Sequence, residues 1–170
     1  MGMERRIVTA LSLLSELFEE LLGAELNDFD DVDREVLISQ ADDAGRHLTN
    51  ALFLHRPDLR KLPPERRVPH IDRLFARYPC EVDSDDIGSL AIRAYDEIAE
   101  LLDVRSVAIR READFAMSHL DVVLLLLDPE MYGRAIEGAS ADDRIRIAAR
   151  AEQVELMLDE ARALVREDAL

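Results

Sequence analysis

A chain of 170 residues, 48% of them hydrophobic, is long enough to close one domain around a sizeable core, and two domains do not fit at this length. Thirty-seven acidic residues against twenty-one basic ones leave a formal charge of −16, which repels phosphate backbones and anionic lipid and so argues against nucleic acid or membrane surfaces as partners. With 5% aromatics and no tryptophan the core must rest on Leu, Ile, Val and Ala, a composition suited to helices, while the single cysteine, Cys80, precludes an internal disulfide and fits a reducing, cytoplasmic setting.

Arg5 and Arg6 precede an apolar stretch, as in a secretory signal, but Glu16, Glu19 and Glu20 interrupt it. Ile7, Leu11, Leu14, Phe18 and Leu21 recur at spacings of four and three, which predicts a helix ending at Gly23. An acidic loop follows, and a second helix is expected from Asp31 or Asp33 to about His55, with the stripe Leu37, Ala41, Ala44, Leu48, Ala51 and His55. Asp31, Asp33, Glu35 and Asp42 loosely echo a calcium loop, but Val36 stands where the turn glycine is needed, so they read as cap and surface acids.

Five of the six prolines (Pro57, Pro63, Pro64, Pro69 and Pro79) then fall close together, which limits any helix there to a short one at residues 70–78. Ser84, Asp85 and Asp86 signal a new helix, and residues 89–128 contain neither Gly nor Pro. One helix over those forty residues would be about 60 Å long, so a break is expected near 103–106. The apolar run 122–127 should be the most buried part of a central helix, and it is far too short to cross a membrane. Asp128, Pro129 and Glu130 read as the start of a short helix ending at Gly138. Ser140 and Asp143 resemble a capping box for a last helix to about Arg166, whose stripe is Ile147, Ala151, Val154, Leu158, Ala161 and Val165. Together these elements describe a single all-α domain over 1–170, a bundle of five to six main helices with a Pro/Arg-rich connector at about 56–80.

Two groups of side chains carry candidate chemistry. His55 and His119 lie on apolar stripes and Glu112 lies two turns before His119, so a bundle could bring these three together around a divalent metal or as an acid–base pair. The usual signatures are missing: there is no His-Glu-x-x-His, no Glu-x-x-His, no paired Cys, no Gly-rich phosphate loop and no Gly-x-Ser-x-Gly elbow. The connector is the local anomaly. Residues 56–77 hold Arg56, Arg60, Lys61, Arg66, Arg67, Arg73 and Arg77 against Asp58, Glu65 and Asp72, a net +4 inside a chain of −16. Guanidinium groups grip carboxylates and phosphates in a two-pronged fashion, so Arg56, Arg60, Arg66, Arg67, Arg73 and Arg77 are candidates for an anion or partner site. Held against the protein's own acidic helices, they would instead act as internal ties.

The expectation is therefore a soluble acidic helical module (an adaptor, a regulator or an immunity- or chaperone-like protein) that binds another protein, a basic one best matching its charge. No cofactor is expected. The alternative is a bundle enzyme or a ligand or metal carrier, using His55, His119 and Glu112 or the arginine connector. Self-association through the stripe of the last helix is a further expectation.

Overall fold

The computed structural model describes residues 2–81, 86–130 and 141–168, with the side chains of residues 142–144, 146 and 147 excepted. The architecture is all-α, with no strand among the described residues. Its helices are α1 (Met3–Gly23), α2 (Asp31–His55), the one-turn α3 (Pro57–Arg60), α4 (Pro64–Arg77), α5 (Ile87–Ala99), α6 (Val107–Leu127) and α7 (Ala141–Asp168). The short helix expected after Asp128 and its end at Gly138 involve residues 131–140, outside the described residues, as do the caps assigned to Ser84, Asp85 and Ser140.

Four helices close a ring in which α1 packs on α2, α2 on α6, α6 on α5 and α5 back on α1. The centre is aliphatic: Ile7, Leu13, Leu14 and Leu17 from α1 meet Leu37 and Leu48 from α2, Leu90 and Ile98 from α5, and Leu120 from α6. The α2–α6 seam is the longest contact, and small residues are buried along both helices: Ala41, Ala44 and Ala51 on α2, Ala113 and Ala116 on α6. Their size lets the two backbones approach closely along much of their length.

The helix ends follow local chemistry. The Asp30 carboxylate accepts from the Asp33 backbone N–H at 2.7 Å and opens α2. Residues 89–128 do break in two. Helix α5 gives way to a 3-10 turn (Glu100–Asp103), and the Ser106 hydroxyl then caps α6 by accepting from Ile109 N–H at 3.3 Å. The run 122–127 is only half as buried as its composition suggests: residues 122–124 are buried, whereas residues 125–127 are part-exposed near the helix end.

The connector is more helical than its prolines imply. Pro57 opens α3 and Pro64 opens α4, both within the first turn, where the missing N–H had no partner inside the helix. Pro69 sits inside α4, one turn further than expected for a proline, so the Glu65 carbonyl loses its helical donor and the helix still continues to Arg77. Leu59 and Leu74 anchor the connector in the main core, with Phe75 and Tyr78 packed beside them. Against α1 this burial outweighs one missing hydrogen bond.

Helix α7 lies outside the ring on α2 and α6. Its Val154 and Leu158 bury against Val36 and Val122, with Ala161 and Val165 packed alongside. Of the stripe expected to be available to a partner helix, Val154, Leu158, Ala161 and Val165 are therefore packed on the chain's own α2 and α6, and the side chain of Ile147 lies outside the described residues.

Candidate functional site

Three arrangements on this scaffold concentrate chemistry. The first is the outward side of α7. Two of its arginines point inward: Arg162 binds Asp33 through Nε and Nη2 at 2.7 and 3.0 Å, and Arg150 binds Asp121 at 2.7–2.9 Å and the Ser118 hydroxyl at 2.9 Å. Both cations are thus committed to carboxylates of α2 and α6. Among the described side chains, what remains outward is mostly acidic and apolar: Glu152, Glu155, Asp159 and Glu160 are exposed, with Arg166 as the exposed cation near the end, and along the same side stand Ile145, Leu156 and Leu164, exposed by 71, 62 and 62%. Large apolar side chains so open to water are uncommon in a run on one helix, and a charged surround marks such a strip as a contact surface.

The second arrangement is the connector. Arg56, His70, Arg73 and Arg77 line a groove of about 290 Å³ floored by Leu59 and Leu74. Arg56 forms its rigid wall, donating to both oxygens of Asp58 at 3.0 and 2.8 Å and to Glu4 on α1. Glu4 also accepts from the Tyr78 hydroxyl at 2.8 Å and lies 3.9 Å from Arg77. Burial alone would raise the Glu4 carboxyl, but the Tyr78 and Arg56 hydrogen bonds outweigh it and hold the group below the usual carboxylate range.

The six candidate arginines divide by what they touch. Arg67 is structural: it donates to the Leu62 and Arg60 carbonyls at 2.8 and 2.7 Å and lies over the Phe53 ring. Arg56 is tied by its two acids. Arg60 lines a different cavity, with Glu112. Arg66 and Arg73 are exposed, and their guanidinium groups have no hydrogen bond or ion pair among the described residues, while Arg77 reaches Glu4 at 3.9 Å and interacts with the Tyr78 hydroxyl. The connector is thus partly an internal tie and partly an open cationic surface.

The third arrangement lies at the edge of the α2–α6 seam. His47 Nδ1 donates to Glu112 at 2.7 Å, and its ring stacks on His119 with centroids 5.3 Å apart and planes 17° apart. His119 Nδ1 donates to the buried Gln40 side-chain oxygen at 2.7 Å, and Phe115 closes the outer side of His47 at 5.1 Å. Burial pushes the His119 imidazole below its ordinary value, the neighbouring His47 adds to that, and Asp43 opposes it. Glu112 also borders a cavity of about 310 Å³ with Asn50, Phe53, Leu54 and Arg60.

The expected trio of His55, His119 and Glu112 is not assembled. His119 and Glu112 do share a cluster, but the histidine joining them is His47. His55 is the last residue of α2, eight positions and about 12 Å further along the axis. Among the described residues no group of three or more His, Cys, Asp or Glu side chains is placed to hold a metal ion. Sequence reasoning followed the centre of the apolar stripe, whereas His47 and His119 each sit three residues past a buried alanine (Ala44 and Ala116), on the flank where two helices meet. That offset on both helices was the available signal.

No family model, no curated protein and no solved structure matches the chain.

Proposed function

We propose that this chain is an acidic helical interaction module that binds another protein, and that the outward side of α7 is its contact surface for a basic partner. The observation that supports this is the mixed strip on α7, where Ile145, Leu156 and Leu164 stand exposed among Glu152, Glu155, Asp159 and Glu160. Apolar side chains supply contact area at the centre of an interface, and surrounding charge steers encounter and sets the register. With Arg150 and Arg162 turned inward, the strip presents the same sign as the −16 chain, so near and distant fields favour the same kind of partner.

Capture from the native lysate tests this reading, comparing the wild type with Glu155→Lys/Asp159→Lys and with Leu156→Ser. The expected result is a stoichiometric basic protein retained by the wild type at low salt, released as salt rises, and lost by both variants. Retention unchanged in both variants, or capture of an acidic protein only, would overturn it.

A further inference from the structure

We infer that α4 carries a second docking strip, of opposite charge, for an acidic helical segment of another protein. Arg66, His70, Arg73 and Arg77 follow one another at spacings of four, three and four, so they form a single stripe along the helix, and all four are exposed. The stripe is about 16 Å long at 1.5 Å per residue. The acids of the same helix, Glu65 and Asp72, lie at least about a quarter-turn away from it. The basic face is therefore unbroken by acid along α4 itself.

The neighbouring groove adds depth and rigidity. Arg56, locked by Asp58 and Glu4, forms a fixed wall opposite Arg73 and Arg77, and Leu59 and Leu74 make a dry floor that strengthens any ion pair formed above it. The Arg56 wall already pairs with carboxylates beside the groove: Asp58 takes both of its prongs, and Glu4 takes Arg56 and Tyr78. Three arginines against these two acids leave one positive charge at the groove, more with His70 protonated, which suits single carboxylates arriving one per helical turn.

Charge over the whole chain selects the class of ligand. Residues 56–77 carry +4, so the remainder carries −20, and a long polyanion leaving the stripe at either end would meet that acidic bundle. A short acidic helix ends where the basic stripe ends. Glutamates spaced by four, three and four residues on such a helix repeat the spacing of Arg66, His70, Arg73 and Arg77, which matches guanidinium- or imidazole-to-carboxylate pairing turn by turn. This site is separate from the α7 strip, and either reading can fail alone.

The test is fluorescence anisotropy with the full chain and a labelled helical peptide bearing four glutamates at that spacing on an uncharged background. A peptide of equal composition with the spacing scrambled, and an oligothymidylate of equal charge, serve as competitors. Arg66→Glu/Arg73→Glu removes the two guanidiniums that have no partner among the described residues, and circular dichroism checks that the fold is kept. Arg105→Glu/Arg110→Glu, on exposed positions elsewhere, changes the net charge equally. The expected result is saturable binding of the in-register peptide, weakened about tenfold or more by the α4 variant and less than about twofold by the control. Absence of saturable binding, equal loss in the control, equal binding of the scrambled peptide, or tighter binding of the oligothymidylate would each overturn the inference.

Discussion

The Arg162–Asp33 pair fixes the register of α7 on the first turn of α2, and its strength can be bounded from the structure. Both prongs of the guanidinium engage, at 2.7 and 3.0 Å, and the side chains are 30 and 18% exposed. An exposed pair is worth about 0.2–1 kcal/mol and breaking a fully buried one costs about 3–5 kcal/mol, so partial burial with two-pronged geometry places the coupling at about 1.5 kcal/mol. A double-mutant cycle with Arg162→Met and Asp33→Asn, read from urea unfolding followed by circular dichroism, isolates that coupling. Asp33→Asn alone should cost about 0.5 kcal/mol more than Arg162→Met, because Asp33 also faces the positive end of α2. A coupling of this size corresponds to a Tm difference of roughly 3–6 °C for a chain of this length. Coupling below about 0.3 kcal/mol, or its disappearance in moderate salt, would show an ordinary surface contact and refute the reasoning.

Three further outcomes follow from the same geometry. His119 is held below its ordinary value by burial, so its unfolded form binds the proton more readily; stability is full above about pH 6.5 and falls on acidification, and His119→Gln should flatten the urea midpoint between pH 7.5 and 5. Glu4 is held below its ordinary value despite burial, so it stabilises above about pH 4.5 and loses that contribution as pH falls through its folded value; Tyr78→Phe should cost about 1 kcal/mol at pH 7 and shrink the acid-side loss. Pro69→Ala returns a donor to the Glu65 carbonyl within α4, and with about 0.4–1 kcal/mol offset by a freer unfolded chain it should raise stability by about 1–2 kcal/mol; an unchanged midpoint would show that α4 is held by Leu74 and Phe75 alone.

Much of the fold was legible because local signals and burial agree. The spacing of Ile7, Leu11, Leu14 and Leu21 marks the face that α1 buries, and Asp30, Asp31 and Asp33 crowd the start of α2 where a cap and acidic first turn belong. The break expected near 103–106 falls between the end of the 3-10 turn and the Ser106 cap. The connector was underestimated because proline rules weigh the backbone alone. Pro57 and Pro64 start helices, and Leu59 and Leu74 supply burial that Pro69 does not cancel.

The sites were less legible because their partners are distant in the chain. His47 and Glu112 are 65 positions apart, Arg162 and Asp33 are 129 apart, and Glu4 meets Tyr78 across 74. Spacing within a helix says which side chains share a face, not which helix that face meets. The stripe of α7 shows the limit well: its period was right, yet only the furrow between α2 and α6 decides that Val154 and Leu158 turn inward and leave Leu156 outside.

The central claim is that α7 presents its outward side to a basic protein. A photo-crosslinking amino acid at Ala163, exposed on that side, compared in the native host with the same group at Arg105 tests it most directly. A discrete adduct with a basic protein from position 163, absent from position 105 and suppressed by Glu155→Lys/Asp159→Lys, is the predicted result. Adducts of equal yield from both positions, or none from position 163, would contradict it.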